Sequence, residues 1–218
     1  MEADFWLDRW QQGRTGWQER QPGAMLVRHF GALGLGPGAL VLVPLCGATP
    51  DIGWLRAQGC AVVGAELSGL AIAQVFAGLG LVPQTTDMGR MRRHSAPGLD
   101  LFEGDIFDLT PEMLGKVDAI HDRAALFALP PDIRRRYAAH LVALTGGAPQ
   151  LLTCFDHGGD PDDGPPFSVP PEEVARLYGD SYRITLLDEQ DTGLRTTGAG
   201  ERDCLWHLAD GTNGSVRE

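Results

Sequence analysis

Residues Val41–Ser68 read VLVPLCGATPDIGWLRAQGCAVVGAELS. An apolar run stops at a glycine turn, a short helical pattern follows, and a second apolar run ends on an acid, Glu66. Continuous apolar runs of this length suit strands covered on both faces, and two such strands joined through a helix pair in parallel. A carboxylate about twenty residues after the turn stands where it can accept both hydroxyl protons of an adenosine ribose. The turn itself breaks the dinucleotide pattern. That pattern needs three glycines so that backbone can approach a pyrophosphate, whereas Leu45-Cys46-Gly47-Ala48-Thr49-Pro50 holds one, and Pro50 removes a donor.

The same rhythm extends in both directions. Ahead of it, PGAMLVRHFGAL (Pro22 to Leu33) has helical spacing and closes at Gly34 and Gly36. Behind it, Ser68 caps the helical GLAIAQVFAGLG, and a polar, breaker-rich connection from Val82 to Gly98 leads to the strand LDLFEG. KVDAIHD is a fourth strand, PPDIRRRYAAHLVALTGG a long helix, and APQLLTCF a fifth strand. A helix begins near Glu172, and YRITLLDEQD and RDCLWHLAD close the chain as two strands without a helix between them. The expectation is an α/β fold: a seven-stranded, mostly parallel sheet with helices on both faces and an antiparallel C-terminal strand. Ligands in such sheets sit outside the carboxyl ends of the strands. This expectation gathers Cys46, Gly47, Glu66, Asp105, Asp122, Arg123 and the loop after Phe155 around one crevice.

Composition narrows the partners. A formal charge of −11 over 218 residues argues against a nucleic acid, whose phosphates need clustered Lys and Arg. Arg90, Arg92, Arg93 and His94 read as a solvated loop, and Arg134 to Arg136 as the wet face of the long helix. No apolar run reaches the roughly 20 residues that span a bilayer, and the acidic, aromatic N-terminus is not a signal peptide. Cys46, Cys60, Cys154 and Cys204 lack zinc spacing, so no metal is expected and reduced thiols in a cytoplasm are the default. A monomer is expected, with a small molecule as partner.

A ligand with ribose and adenine but no phosphates resolves the turn. S-adenosylmethionine carries a zwitterionic amino-acid tail and a sulfonium instead, and its product is S-adenosylhomocysteine. EGDIFDL (Glu103 to Leu109) supports the idea, since Asp105 can accept the exocyclic amine of adenine and Ile106 pack on the ring. Asp105 as a simple helix cap is the competing reading. The stretches FWLDRWQQGRTGW, VLVPLCGATPDIGWLRAQGCAVVGAELS, GDIFDL, HDRAAL and GPPFSVPPEEVARLYG together resemble the thiopurine S-methyltransferase family, in order from Phe5 to about Leu208. The resemblance implies a class I, Rossmann-like methyltransferase in one domain. It divides the chain into an aromatic lid and helix over 1–36, a core over 37–209 and a tail over 210–218.

It further implies that Trp6 and Trp10 close over the cofactor. Leu45, Gly47, Glu66, Leu67, Asp105, Ile106 and Arg123 would surround it, and Trp17 and Arg123 would meet the acceptor. Arg195 is the counterpart of the substrate-side arginine, with Arg202 as the other candidate. Arg123 would favour an anionic sulfur, and Asp122 would orient Arg123 or relay a proton. His121 reads as a core or supporting histidine rather than a base. The acceptor expected is a thiol or selenol; an N- or O-methyltransferase acting on a natural-product intermediate is the alternative. Two departures bear on the acceptor. Ala48 stands where the family has lysine beside the cofactor tail, and Trp17-Gln18 replaces Phe-His.

Overall fold

The computed structural model describes residues 3–160, 162–192 and 201–210. Its centre is the expected βαβ unit: β1 (Leu40–Val43), α3 (Asp51–Ala57) and β2 (Ala61–Glu66), followed by α4 (Gly69–Gly78). The Ser68 hydroxyl accepts from the Ala71 N–H and caps α4. Ahead of the unit lie α1 (Ala3–Gln11) and α2 (Ala24–His29), the latter running into a 3-10 turn that ends on left-handed Gly34. After it come β5 (Leu99–Glu103), α5 (Pro111–Leu114), β6 (Ala119–Arg123), α6 (Pro131–Thr145), β7 (Gln150–Asp156), α7 (Pro171–Tyr178), β8 (Tyr182–Asp191) and β9 (Arg202–Asp210).

Seven of these strands form the expected sheet, and two more extend it. The segment read as a loop over Val82 to Gly98 is instead an antiparallel hairpin of β3 (Gln84–Asp87) and β4 (Arg92–Ala96), with β4 in turn antiparallel to β5. The sheet order is β3-β4-β5-β2-β1-β6-β7-β9-β8. β5, β2, β1, β6 and β7 run parallel, and β9 runs antiparallel between β7 and β8. The hairpin is held by polar cross-strand pairs rather than an apolar face. Arg93 grips Asp100 with two hydrogen bonds (3.0 and 2.8 Å), and His94 Nε2 meets Glu103 at 2.8 Å. An edge strand without an apolar face leaves no alternation to read.

Helices cover both faces. Met25 and Leu26 of α2, Ile52 and Leu55 of α3, and Ile72, Val75 and Phe76 of α4 pack with Val41, Val43 and Leu151 on one side. Leu114, Tyr137, Leu141, Val174 and Tyr178 from α5, α6 and α7 pack with Leu42, Ile120 and Leu152 on the other. Parallel pairing of β1 with β2 and β6 brings the strand ends Leu45–Gly47, Glu66, Asp105 and Arg123 to one edge. Two non-glycine residues at that edge have positive φ, Leu45 (44°) after β1 and Ala124 (67°) after β6. Such backbone is costly and persists where the surroundings over-determine it. No helix among the described residues is long and apolar enough to cross a membrane.

Candidate active site

A cavity of about 640 Å³ opens at these strand ends, roofed by the N-terminal segment. That volume lies within the roughly 300–1,000 Å³ of small-molecule sites. Leu45, Gly47, Glu66, Leu67, Asp105, Ile106 and Arg123 line its floor, and Trp6, Trp10 and Trp17 its roof. The structure brings all ten together. The roof is built by edge-to-face packing, with Trp17 centroids 5.4 Å from Trp6 and 6.2 Å from Trp10. α1 thus exists because Trp10 has somewhere to be buried. Its indole reaches Gly47, where φ is +53° and a Cβ would lie 3.6 Å from Trp10 Cζ2.

Glu66 is the best-held side chain of the floor. Oε2 accepts from the Gly47 N–H and Oε1 from the Ser68 N–H, both at 2.8 Å. Burial pushes its pKa up, and these backbone donors pull the other way. A carboxylate has about four lone-pair sites, so acceptor capacity remains on the cavity side. Asp105 is exposed, and its Oδ1 accepts from the Phe107 N–H at 3.0 Å, so it caps the 3-10 turn of Ile106–Asp108 while also lining the cavity. Ile106 is buried beside it.

The sequence placed Asp122 in the crevice beside Arg123, and the structure does not. Side chains alternate along β6, so His121 and Arg123 point to the α3 side while Asp122 points into the α6 side. There it is fully buried and accepts from the Tyr137 hydroxyl at 2.8 Å. Burial raises its pKa to about 6, against the opposing Tyr137 bond. Asp122 therefore neither orients Arg123 nor meets an acceptor.

Arg123 is oriented by other carboxylates. One guanidinium nitrogen donates to Glu19 of the N-terminal segment, and the other lies 4.0 Å from Asp51 Oδ2. Asp51, fully buried at the start of α3, accepts from the Gly23 N–H at 2.7 Å and from His121 Nε2 at 2.8 Å. Burial alone would raise its pKa; the His121 bond, the Gly23 N–H and Arg123 together hold it below the usual value. His121 is thus a supporting residue, as read.

Glu19 and Asp51 carried no signal in the sequence beyond following Trp17 and Pro50. Arg195 lies outside the described residues. Arg202 points away from the cavity, to Asp156 (3.2 Å) and Glu189 (3.1 Å).

These residues fit S-adenosylmethionine. Glu66 retains acceptor sites for ribose hydroxyls, Asp105 and Ile106 offer an edge and an apolar face to adenine, and three indoles suit a sulfonium cation.

The thiopurine S-methyltransferase family model matches residues 1–204. Thiopurine S-methyltransferase of Xanthobacter autotrophicus is 57% identical over 189 residues, 86% of this chain and 89% of that protein. That of Acinetobacter baylyi is 43% identical, covering 95% of this chain and 98% of its own length. Among solved structures, magnesium protoporphyrin IX methyltransferase from Synechocystis with bound S-adenosylhomocysteine aligns over 96% of this chain and all of its own, with a TM-score of 0.64 at 15% identity. A 1,6-didemethyltoxoflavin N1-methyltransferase of Burkholderia thailandensis covers 95% and 87%, with a TM-score of 0.61 at 18% identity. Likeness at these identities concerns the fold, whereas the family match runs through the turn, the acid and the aromatic roof. The chain belongs to the thiopurine S-methyltransferase family and is an S-adenosylmethionine-dependent methyltransferase.

Proposed function

We propose that this enzyme methylates a thiol or selenol of a small, flat, largely apolar acceptor, as a cytoplasmic monomer. The observation that carries the reading is the chemistry of the cavity wall. Among the described residues that line it there is no histidine, lysine or tyrosine, and its one cysteine, Cys46, is buried with its thiol pKa pushed well up by burial. The lining carboxylates, Glu19, Glu66, Asp105 and Asp132, are weak bases beside a phenol or an alkylammonium, so the acceptor has to bring its own nucleophile. Aromatic thiols and selenols do so at neutral pH, whereas phenols, with pKa near 10, do not. Trp17, Phe127, Leu129, Ile133, Pro165 and Pro166 supply an apolar wall for a planar ring.

The donor, when bound, supplies a methyl group already activated on a sulfonium sulfur. The chain's own residues bind, orient and dry the site. Glu66 holds the ribose end against the turn, and the tryptophan roof excludes water. The wall around Trp17 and Phe127 aims the acceptor for in-line displacement, where alignment is the main catalytic lever. Arg9 packs over Phe5 (4.6 Å) and Trp17 (5.7 Å). It therefore brings positive charge to the acceptor end and favours the anionic form of sulfur.

An acceptor screen with labelled methyl donor across aromatic and aliphatic thiols, selenols, phenols and amines tests this. Aromatic thiols and selenols are expected to be methylated at rates at least tenfold above matched phenols and amines. Transfer confined to phenols or amines overturns the reading.

A further inference from the structure

The strand order sets the order of chemical groups across the floor: Asp105 after β5, Glu66 after β2, Gly47 after β1 and Arg123 after β6. S-adenosylmethionine is equally linear, running from adenine through ribose and sulfonium to an amino acid. With ribose on Glu66 and adenine toward Asp105, the amino-acid end extends past Gly47 toward Arg123. The turn gives that end little. Ala48 has no charge, Pro50 has no N–H, and the Gly47 N–H is already donated to Glu66.

What stands there is an ion pair. Arg123 faces three carboxylates: Glu19, bonded to it; Asp51, 4.0 Å away; and Asp203 on β9, whose carboxyl feels both Arg123 and Glu19. Asp51 is buried and engaged by Gly23 and His121, and Asp203 does not line the cavity. Glu19 does line it and is about half exposed. The site therefore offers one cation, one available anion beside it and a local excess of negative charge. The cavity's other guanidiniums, Arg9 and Arg136, lie over aromatic rings.

We propose that Glu19 and Arg123 form the binding site for the donor's zwitterionic end, with Glu19 taking the α-ammonium and Arg123 the α-carboxylate. A hydrogen-bonded carboxylate and guanidinium are complementary to two opposite charges attached to one carbon. A carboxylate on the lid segment thereby does work that a lysine in the turn could not. Glu19 holds the donor from above while Glu66 holds it from below. The assignment rests on S-adenosylmethionine as donor and is independent of which acceptor is methylated.

Calorimetric titration separates the parts. S-adenosylhomocysteine and 5′-methylthioadenosine share adenine, ribose and sulfur, and only the first has the amino acid. Glu19→Gln is expected to weaken S-adenosylhomocysteine about tenfold and leave 5′-methylthioadenosine unchanged. Glu66→Ala is expected to weaken both, and thermal midpoints of both variants report folding. Unchanged or tighter S-adenosylhomocysteine binding by Glu19→Gln, or an equal loss for both ligands, overturns the assignment. Failure of the unmodified protein to bind S-adenosylhomocysteine overturns the donor itself, a result separable from any behaviour of the variant.

Discussion

Asp122 and Arg123 are neighbours in sequence and belong to different parts of the molecule. One faces Tyr137 and the apolar side of α6, the other faces Asp51 and the cavity. Residue identity made both look chemical; strand parity separates them. The buried carboxyl has a measurable consequence. Asp122 holds its proton up to about pH 6 in the folded chain, against the ordinary 3.8. Its contribution to stability is therefore full below about pH 4 and is lost as pH rises through about 6. Asp51 and Asp156, whose pKa values are lowered, contribute in the opposite sense. Urea unfolding of the Asp122→Asn variant against the unmodified protein isolates the first effect: the variant's relative stability should rise between about pH 4 and 6 and level off above. A flat difference across that window rejects the assignment. Glu66 was legible because its spacing from the glycine turn has a chemical reason. Glu19 was not, because its partner comes from a strand more than a hundred residues away.

At the scale of elements, α6 shows where pattern reading fails. Arg134, Arg135 and Arg136 looked like one wet face, yet Arg134 is fully buried while its neighbours are exposed. Its Nε donates to the Leu129 carbonyl (2.9 Å), and its Nη1 donates to the Ser168 carbonyl (2.9 Å) and to Glu173 (2.6 Å). It thereby fastens α6 to α7 and to the segment carrying Pro165 and Pro166 along the cavity wall. A helix turns 100° per residue, so three consecutive arginines cannot share one face. Arg134→Met takes away the buried partner of Glu173 and leaves its carboxylate only the exposed Arg176 (3.2 Å), so it should cost up to about 3–5 kcal/mol in urea unfolding. Adding Glu173→Leu should recover much of that loss, since breaking one half of a buried pair is worse than replacing both. Simple additivity of the two would contradict the pairing. The β3–β4 hairpin escaped for the complementary reason. Its strands are polar and held by Arg93–Asp100 and His94–Glu103, contacts that have no period in sequence.

The whole molecule assembles its cavity from both ends of this range, strand ends below and the N-terminal segment above. Three of the five tryptophans, Trp6, Trp10 and Trp17, line it, while Trp54 and Trp206 do not. Saturating S-adenosylhomocysteine should therefore change the intrinsic fluorescence, and the change should persist in a Trp54→Phe/Trp206→Phe variant. Loss of the signal in that variant would place the ligand away from the roof. At 100 times its Kd the same ligand should stabilise the fold by about 2.7 kcal/mol, and NAD should not. The alternation of buried strands and helices, the position of Glu66 and the exclusion of a pyrophosphate cradle were determined by local order alone, because periodicity and turn chemistry act over a few residues. Which carboxylate meets Arg123, where Asp122 points and what the aromatic segment covers were decided only when parallel pairing and strand parity brought distant residues together. Charge and burial act through space, and no spacing along the chain encodes those distances.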